Sequence, residues 1–323
     1  MAVHFGGNFH RAAVILGFFL WILPSPSAAQ VQHQLDSLKQ REIILQQEIR
    51  ELQCELDALR KQLYHAATNP LPVPIPDELR GNENVQYGFP GGDGAILDKQ
   101  YFVILYDTRL KIPRWVGYHL TREYLEENNA PRTDKFKPDS DLSPDERAEL
   151  EDYKGSGFDR GHQAPAADFH RSEEAMAETF LLSNICPQWP SFNRGIWARL
   201  EEQVRAVAEN EGSIWVYTGT LFLDDQGRKS GPGRFIGPDS VAVPTHFFKV
   251  VLVERAPADH EMFAFIMKNQ PAKVSDAPSR YQVTVDSVQR VSGLDFFDVL
   301  PDAEERRLER RIDGQWLSDA VKR

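Results

Sequence analysis

Cys54 and Cys186 are the only cysteines in 323 residues, too few for a disulfide scaffold or a cysteine-based zinc site. Basic charge is short as well: 37 Lys+Arg stand against 48 Asp+Glu, a formal net charge of −11. Partners coated in phosphate reward Lys and Arg, so composition alone argues against nucleic acid. No apolar run reaches the roughly 20 residues of a transmembrane helix. No internal repeat and no steady β-α alternation are found either, which disfavours solenoids and doubly wound sheets. What remains is ordinary: 41% hydrophobic and 26% charged residues. That balance excludes collagen-like, wholly disordered and multi-span membrane proteins, and the length allows a large core.

The chain is built in segments. Residues 1–29 hold Arg11, an apolar run from Ala12 to Leu23, Pro24, Pro26 and then Ser27-Ala28-Ala29. This predicts a secretory signal peptide and a periplasmic or secreted protein, with an N-terminal membrane anchor or a mitochondrial location as alternatives. Residues 30–66 carry a heptad seam, Val31, Leu35, Leu38, Leu45, Ile49, Leu52, Leu56, Leu59 and Leu63, broken only by Glu42. The spacing predicts a coiled coil joining copies of the chain into a homo-oligomer, a dimer or a trimer. Cys54 falls at an outward position of that coil. Residues 67–84 include Asn69-Pro-Leu-Pro-Val-Pro-Ile-Pro-Asp77, a stiff extended linker. A globular domain is expected over 85–301 and a charged tail with a surface helix, Glu304–Arg311, over 302–323. Within the domain, strands are predicted at Tyr101–Tyr106, Trp115–His119, Ile214–Thr218, Val241–Val243, Phe247–Val253 and Met262–Met267, and helices at Glu173–Leu182 and Phe192–Asn210. The pattern is α+β.

The chemistry concentrates in residues 157–201. Asp159-Arg160-Gly161-His162 sets a base beside a cation and an acid, with a glycine that permits a tight backbone turn. Asn193 and Glu201 follow in one predicted helical stretch. Such hard oxygen donors suit Mg²⁺, which keeps most of its waters. A neutral histidine beside a hydrated Mg²⁺ is equipment for hydrolysing a phosphodiester.

Phe158-Asp-Arg-Gly-His162, Asn184-Ile-Cys-Pro-Gln188 and Asn193-Arg-Gly-Ile-Trp-Ala-Arg-Leu-Glu201 together resemble the DNA/RNA non-specific endonucleases. Tyr87-Gly-Phe-Pro90, Tyr217-Thr-Gly-Thr-Leu-Phe222, Val241-Ala-Val-Pro-Thr-His-Phe-Phe-Lys249 and Val291-Ser-Gly-Leu294 are similar to the endonuclease G branch. The likeness covers roughly residues 85–300 and leaves out the coil and linker. It implies a ββα-metal core within a domain built on a central antiparallel sheet flanked by helices. It also implies an enzyme that cuts DNA and RNA with Mg²⁺, for which Mn²⁺ substitutes.

Residue by residue, the resemblance makes His162 the general base, Asn193 the ligand of a single metal and Glu201 the carboxylate holding the metal's waters. Asn184 becomes a polar residue beside the site, and Arg160 a residue for substrate or local fold. Arg132 is the expected phosphate-facing arginine, because Arg132, Phe136 and Asp139 repeat an R-x₃-F-x₂-D spacing of the branch; Arg109 and Arg114 are its rivals. Trp189 is a candidate substrate contact, and Asp159 and Gly161 are structural supports. His119, His170 and His246 read as structural, Trp197 as a core anchor and Cys186 as buried and inert. The alternatives are a nuclease-like binding module and a coil-organised envelope scaffold. Over half of the acidic excess, −6, falls in residues 121–152. Affinity for nucleic acid is therefore expected to rest on the metal and a few arginines, with a shallow salt dependence.

Overall fold

The computed structural model describes residues 27–68, 73–127, 129–272 and 276–312. Most of the expected leader (1–26) and part of the expected tail (313–323) lie outside the described residues. The chain divides into two compact units, one up to Tyr64 and one from His65 onward. In the first, helix α1 runs over Ala28–Thr68, rich in Gln, Glu, Leu and Arg and free of Gly and Pro, as helix propensity requires. Its seam faces solvent: Val31, Leu35, Leu38, Leu45, Ile49, Leu52, Leu56 and Leu59 are each 46–66% exposed. The side chains of Cys54 and Leu63 lie outside those described.

The second unit opens with β1 (Ala95–Asp98), β2 (Val103–Asp107) and β3 (Ile112–Thr121). Next come α2 (Arg122–Glu126), α3 (Leu150–Tyr153), β4 (Asp159–His162), α4 (Glu173–Thr179), β5 (Ile185–Gln188) and α5 (Ala198–Glu211). Strands β6 (Ser213–Leu221), β7 (Phe235–Ile236), β8 (Val241–Ala242), β9 (His246–Ala256), β10 (Asp259–Lys268) and β11 (Gln282–Val283) precede α6 (Val285–Ser292) and α7 (Asp302–Glu309). The central sheet has the order β1-β2-β3-β6-β9-β10-β11, with every pair antiparallel.

Both faces of this sheet are covered, so its middle strands are apolar at consecutive positions rather than at alternate ones. On β9, Phe247, Val251 and Val253 enter one core with α5 residues Leu200, Val204 and Val207. Phe248, Val250 and Leu252 enter the other with Val285, Val288 and Phe296. The fold is α+β, a central antiparallel sheet flanked by helices.

Four local expectations change. Val241–Ala242 pairs with Phe235–Ile236 in a separate ribbon and does not join the sheet. Pro244, which has no backbone N–H to give a ladder, follows after Val243. The helix expected over Phe192–Asn210 is broken: Phe192–Trp197 forms a wide turn, Gly195 sits at non-helical φ −113° and ψ −105°, and α5 begins only at Ala198. The helix expected to reach Leu182 stops at Thr179. Part of the proline-rich stretch is docked: Val73 and Ile75 pack on the second core, in which Leu79 is fully buried. Among the described residues no helix is long and apolar enough to cross a membrane.

Candidate active site

Strands β4 and β5 lie off the main sheet and pair with each other, Asp159 opposite Gln188, Gly161 opposite Cys186 and His162 opposite Ile185. Gly161 is required by space: a Cβ there would lie 2.2 Å from Gln188 Cδ. Strand alternation then sends Arg160 and His162 to one face and Asp159 to the other. The wide turn and α5 follow β5, so β4, β5 and α5 make the ββα unit.

His162 sits against two aromatic rings, Phe136 at 5.4 Å and Phe180 at 5.0 Å between centroids. Its Nε2 is buried without a hydrogen-bond partner. Burial pushes its pKa down to about 3, helped by the positive charges of Arg132 and Arg160. The imidazole is therefore neutral at ordinary pH. The same rings seat the arginines: Arg160 Cζ lies 4.1 Å from the Phe136 centroid and Arg132 Cζ 5.6 Å from that of Phe180. Phe136 is the hub of this floor. The sequence pointed to it only as one member of a spacing.

Asp159 organises the other side. Its Oδ2 accepts from Asn193 Nδ2 at 3.0 Å and from Arg194 Nε at 2.7 Å, while Oδ1 accepts from Arg194 Nη2 at 2.6 Å. With the amide nitrogen engaged, Asn193 Oδ1 is left as an oxygen donor that accepts no hydrogen bond among the described residues. Glu201, on the first turn of α5, is pushed up to about 7 by burial, against the pull of Lys249 and with a further push from Asp168. Lys249 is fully buried on β9 and donates to Thr218 Oγ1 at 2.5 Å. Asp168 accepts from Tyr118 Oη at 2.9 Å and pairs with Arg205 at 3.0 Å. Sequence reading missed this polar layer beneath Glu201. The one available signal was the lysine closing the Val241–Lys249 segment.

A hollow of about 190 Å³ is lined by Arg132, Arg160, His162, Asn193 and Glu201, together with Pro165, Ala166, Ala167 and Ala198. Five of the residues expected from sequence therefore meet in one place, drawn from the loop before α3, from β4, from the wide turn and from α5. A larger cleft of about 780 Å³ shares Arg132, Arg160 and Asn193 and extends past Phe158 and Lys154. Among the arginine rivals, Arg114 is tied to Asp107 at 2.8 Å, and neither it nor Arg109 lines either space.

Other expected residues sit differently. Asn184 is fully buried and entirely engaged with backbone: Oδ1 accepts from Ala164 N, and Nδ2 donates to the carbonyls of Ala164 and Thr179, each at 2.9 Å. It pins the chain after His162 and has no group left for substrate. Trp189 lines neither space; its ring packs on Phe158 at 4.9 Å. Trp197 is fully buried against Phe192 and Phe247, and Cys186 is fully buried opposite Gly161. His119 stacks on Trp215 at 4.2 Å, His170 Nδ1 contacts the Ala130 carbonyl at 3.0 Å and His246 contacts Thr245 Oγ1 at 3.0 Å. None of these three histidines reaches the hollow.

A free amide oxygen, a nearby carboxylate and a buried neutral imidazole fit a hard divalent cation with a general base beside it. Comparison with known proteins identifies the family of the chain. The family profile described as DNA/RNA non-specific endonuclease matches residues 80–303. A nuclease of Syncephalastrum racemosum is 38% identical over 256 residues, covering 76% of this chain and 80% of that protein. The mitochondrial nuclease of Saccharomyces cerevisiae is 34% identical over 276 residues, 78% of this chain and 84% of that one. Human mitochondrial endonuclease G is 38% identical over 217 residues, 66% of this chain and 73% of its own. A chain in the crystal structure of the EndoG/EndoGI complex superposes with a TM-score of 0.64 at 35% identity, covering 72% of this chain and 96% of that chain. The chain belongs to the DNA/RNA non-specific endonuclease family and, within it, to the endonuclease G branch.

Proposed function

We propose that the protein hydrolyses phosphodiester bonds in both DNA and RNA, with His162 as general base, Asn193 as the protein ligand of a single Mg²⁺, and Glu201 holding the metal's water shell. The observation that carries this reading is the meeting of Arg132, Arg160, His162, Asn193 and Glu201 around one hollow. His162 Nε2, neutral and without a protein partner, takes the proton from the attacking water. Arg160 and Arg132, seated on Phe136 and Phe180, hold the phosphate oxygens and orient the scissile bond. Asp159 keeps Asn193 Oδ1 turned to the cation. Mg²⁺ held there, or Mn²⁺ in its place, would supply positive charge against that developing on the phosphate and the leaving oxygen. Contacts to the backbone rather than to base edges explain an absence of sequence preference.

Supercoiled DNA and a structured RNA incubated with the purified protein test this directly. Both are degraded with Mg²⁺ and both survive with EDTA. Nucleic acid left intact in Mg²⁺ but still bound would assign the domain to binding or scaffolding; equal degradation in EDTA would remove the metal from the mechanism.

For α1, the occupant of the exposed seam is a second copy of the chain. Light scattering of the full chain then gives a dimer, and Leu45→Asp with Leu52→Asp gives a monomer; a wild-type monomer at micromolar concentration would refute the assignment. For location, the yeast and human mitochondrial relatives support the mitochondrial alternative for the leader and lend nothing to a periplasmic or secreted one.

A further inference from the structure

Two arginines that line the cleft, and a third beside it, rest on aromatic rings. Two of them, Arg132 and Arg160, belong to the site already described. The third is Arg234, whose Cζ lies 4.6 Å from the Phe158 centroid and 5.6 Å from that of Trp189. Phe158 lines the larger cleft and directly precedes Asp159, so this cation borders the path a strand would follow to His162.

Arg234 is exposed, and no carboxylate among the described residues pairs with it. Other arginines are neutralised locally: Arg194 by Asp159 at 2.6 Å, Arg114 by Asp107 at 2.8 Å and Arg205 by Asp168 at 3.0 Å. Its backbone is held, because the Arg234 carbonyl accepts from Val243 N at 2.9 Å and β7 begins at the next residue. A guanidinium resting on rings loses little freedom when it binds, and its N–H groups stay available for two phosphate oxygens. Trp189, which the sequence suggested as a substrate contact, thereby acquires a different part: it is one of the two rings on which the cation is seated.

We propose that Arg234 binds a backbone phosphate next to the one that is cut, with Phe158 and Trp189 as its rigid seat. The inference rests on the nuclease reading above and adds a contact outside the reacting centre. It follows from charge as well as geometry. In a chain of net charge −11, each unpaired cation at the cleft supplies a large share of the attraction to a polyanion.

Binding of a fluorescent 20-base-pair duplex in EDTA, followed by anisotropy from 25 to 200 mM salt, reads this contact without cleavage. Neutralising one duplex phosphate contributes about 0.9 to the slope of log K against log salt. Arg234→Gln is expected to lower that slope by about 0.9 and to weaken binding about tenfold at 50 mM salt. In cleavage assays with Mg²⁺ the loss appears in KM. Arg234→Lys keeps the slope, since it keeps the charge, and so separates phosphate binding from a role in loop structure. A wild-type slope in Arg234→Gln overturns the proposal, as does a slope in Arg234→Lys as shallow as that of the glutamine variant. Failure of the wild-type protein to cut the duplex in Mg²⁺ would instead strike the nuclease reading itself.

Discussion

His162→Ala is expected to lower turnover on plasmid DNA by about 10²- to 10⁴-fold, the range a positioned general base contributes, with binding of DNA in EDTA retained. The structure adds a pH signature. A free histidine titrates near 6.5, which leads to the expectation that activity declines below that value because the base is lost. Burial against Phe136 and Phe180, then the charges of Arg132 and Arg160, hold His162 down at about 3 instead. The sign is that of a depressed histidine: the neutral base is present throughout the ordinary range, and any acid limb of the rate profile belongs to another group. The ring protons of His162 followed by NMR should show no midpoint between pH 8 and 5; a midpoint near 6.5 would falsify the buried-base assignment. Linkage gives a second consequence. The unfolded chain takes up a proton at this residue near 6.5 and the folded protein only near 3, so stability is lost progressively as pH falls through that window. His162→Ala should therefore lose less stability than wild type between pH 7 and 4.5, read from urea midpoints.

Asn193→Ala is expected to cost about 10³-fold or more in Mg²⁺-dependent turnover, since a metal's stabilisation of transition-state charge amounts to several kcal/mol. Removing the side-chain oxygen leaves no protein atom to hold the cation against water. Asp159→Ala tests the support behind it. Without the 3.0 Å bond to Asn193 Nδ2, the amide is free to rotate. Residues that orient a ligand typically contribute 10–100-fold to metal affinity, so about that loss is expected in Mn²⁺ titrations by calorimetry. Activity of Asp159→Ala should recover at raised metal concentration, whereas that of Asn193→Ala should not. Unchanged Mn²⁺ affinity in both variants would show that the cation is held elsewhere.

Much of this site was legible before any fold was known, for a definite reason. Phosphodiester hydrolysis needs a base, a hard oxygen ligand and cations, and those residue types lie within residues 157–201. The sequence marks Gly161 as a turn residue, whereas the structure puts it in strand β4, where a Cβ would meet Gln188. The apolar run Phe247–Val253 announced a strand, and the structure buries both of its faces. Short strands such as β1 and β7 were not legible, since two to four residues hold too little pattern to distinguish them from loop.

Motif order and residue spacing by themselves pointed to the family, the α+β class, the candidate base and ligand, and the apolar seam of α1, whereas composition pointed away from nucleic acid. These are properties of residue type and spacing, which survive without coordinates. Only the tertiary structure decided how they act together. The wide turn at Gly195 brings Asn193 and Glu201 to one hollow although the spacing suggested a single helix, because packing of Phe192 and Trp197 on Phe247 fixes that turn. The meeting of Arg132 with His162 at the hollow, the withdrawal of Asn184 into backbone bonds, and the low pKa of His162 all depend on neighbours distant in the chain. Desolvation and charge act through space, so no local reading of residue type could supply them.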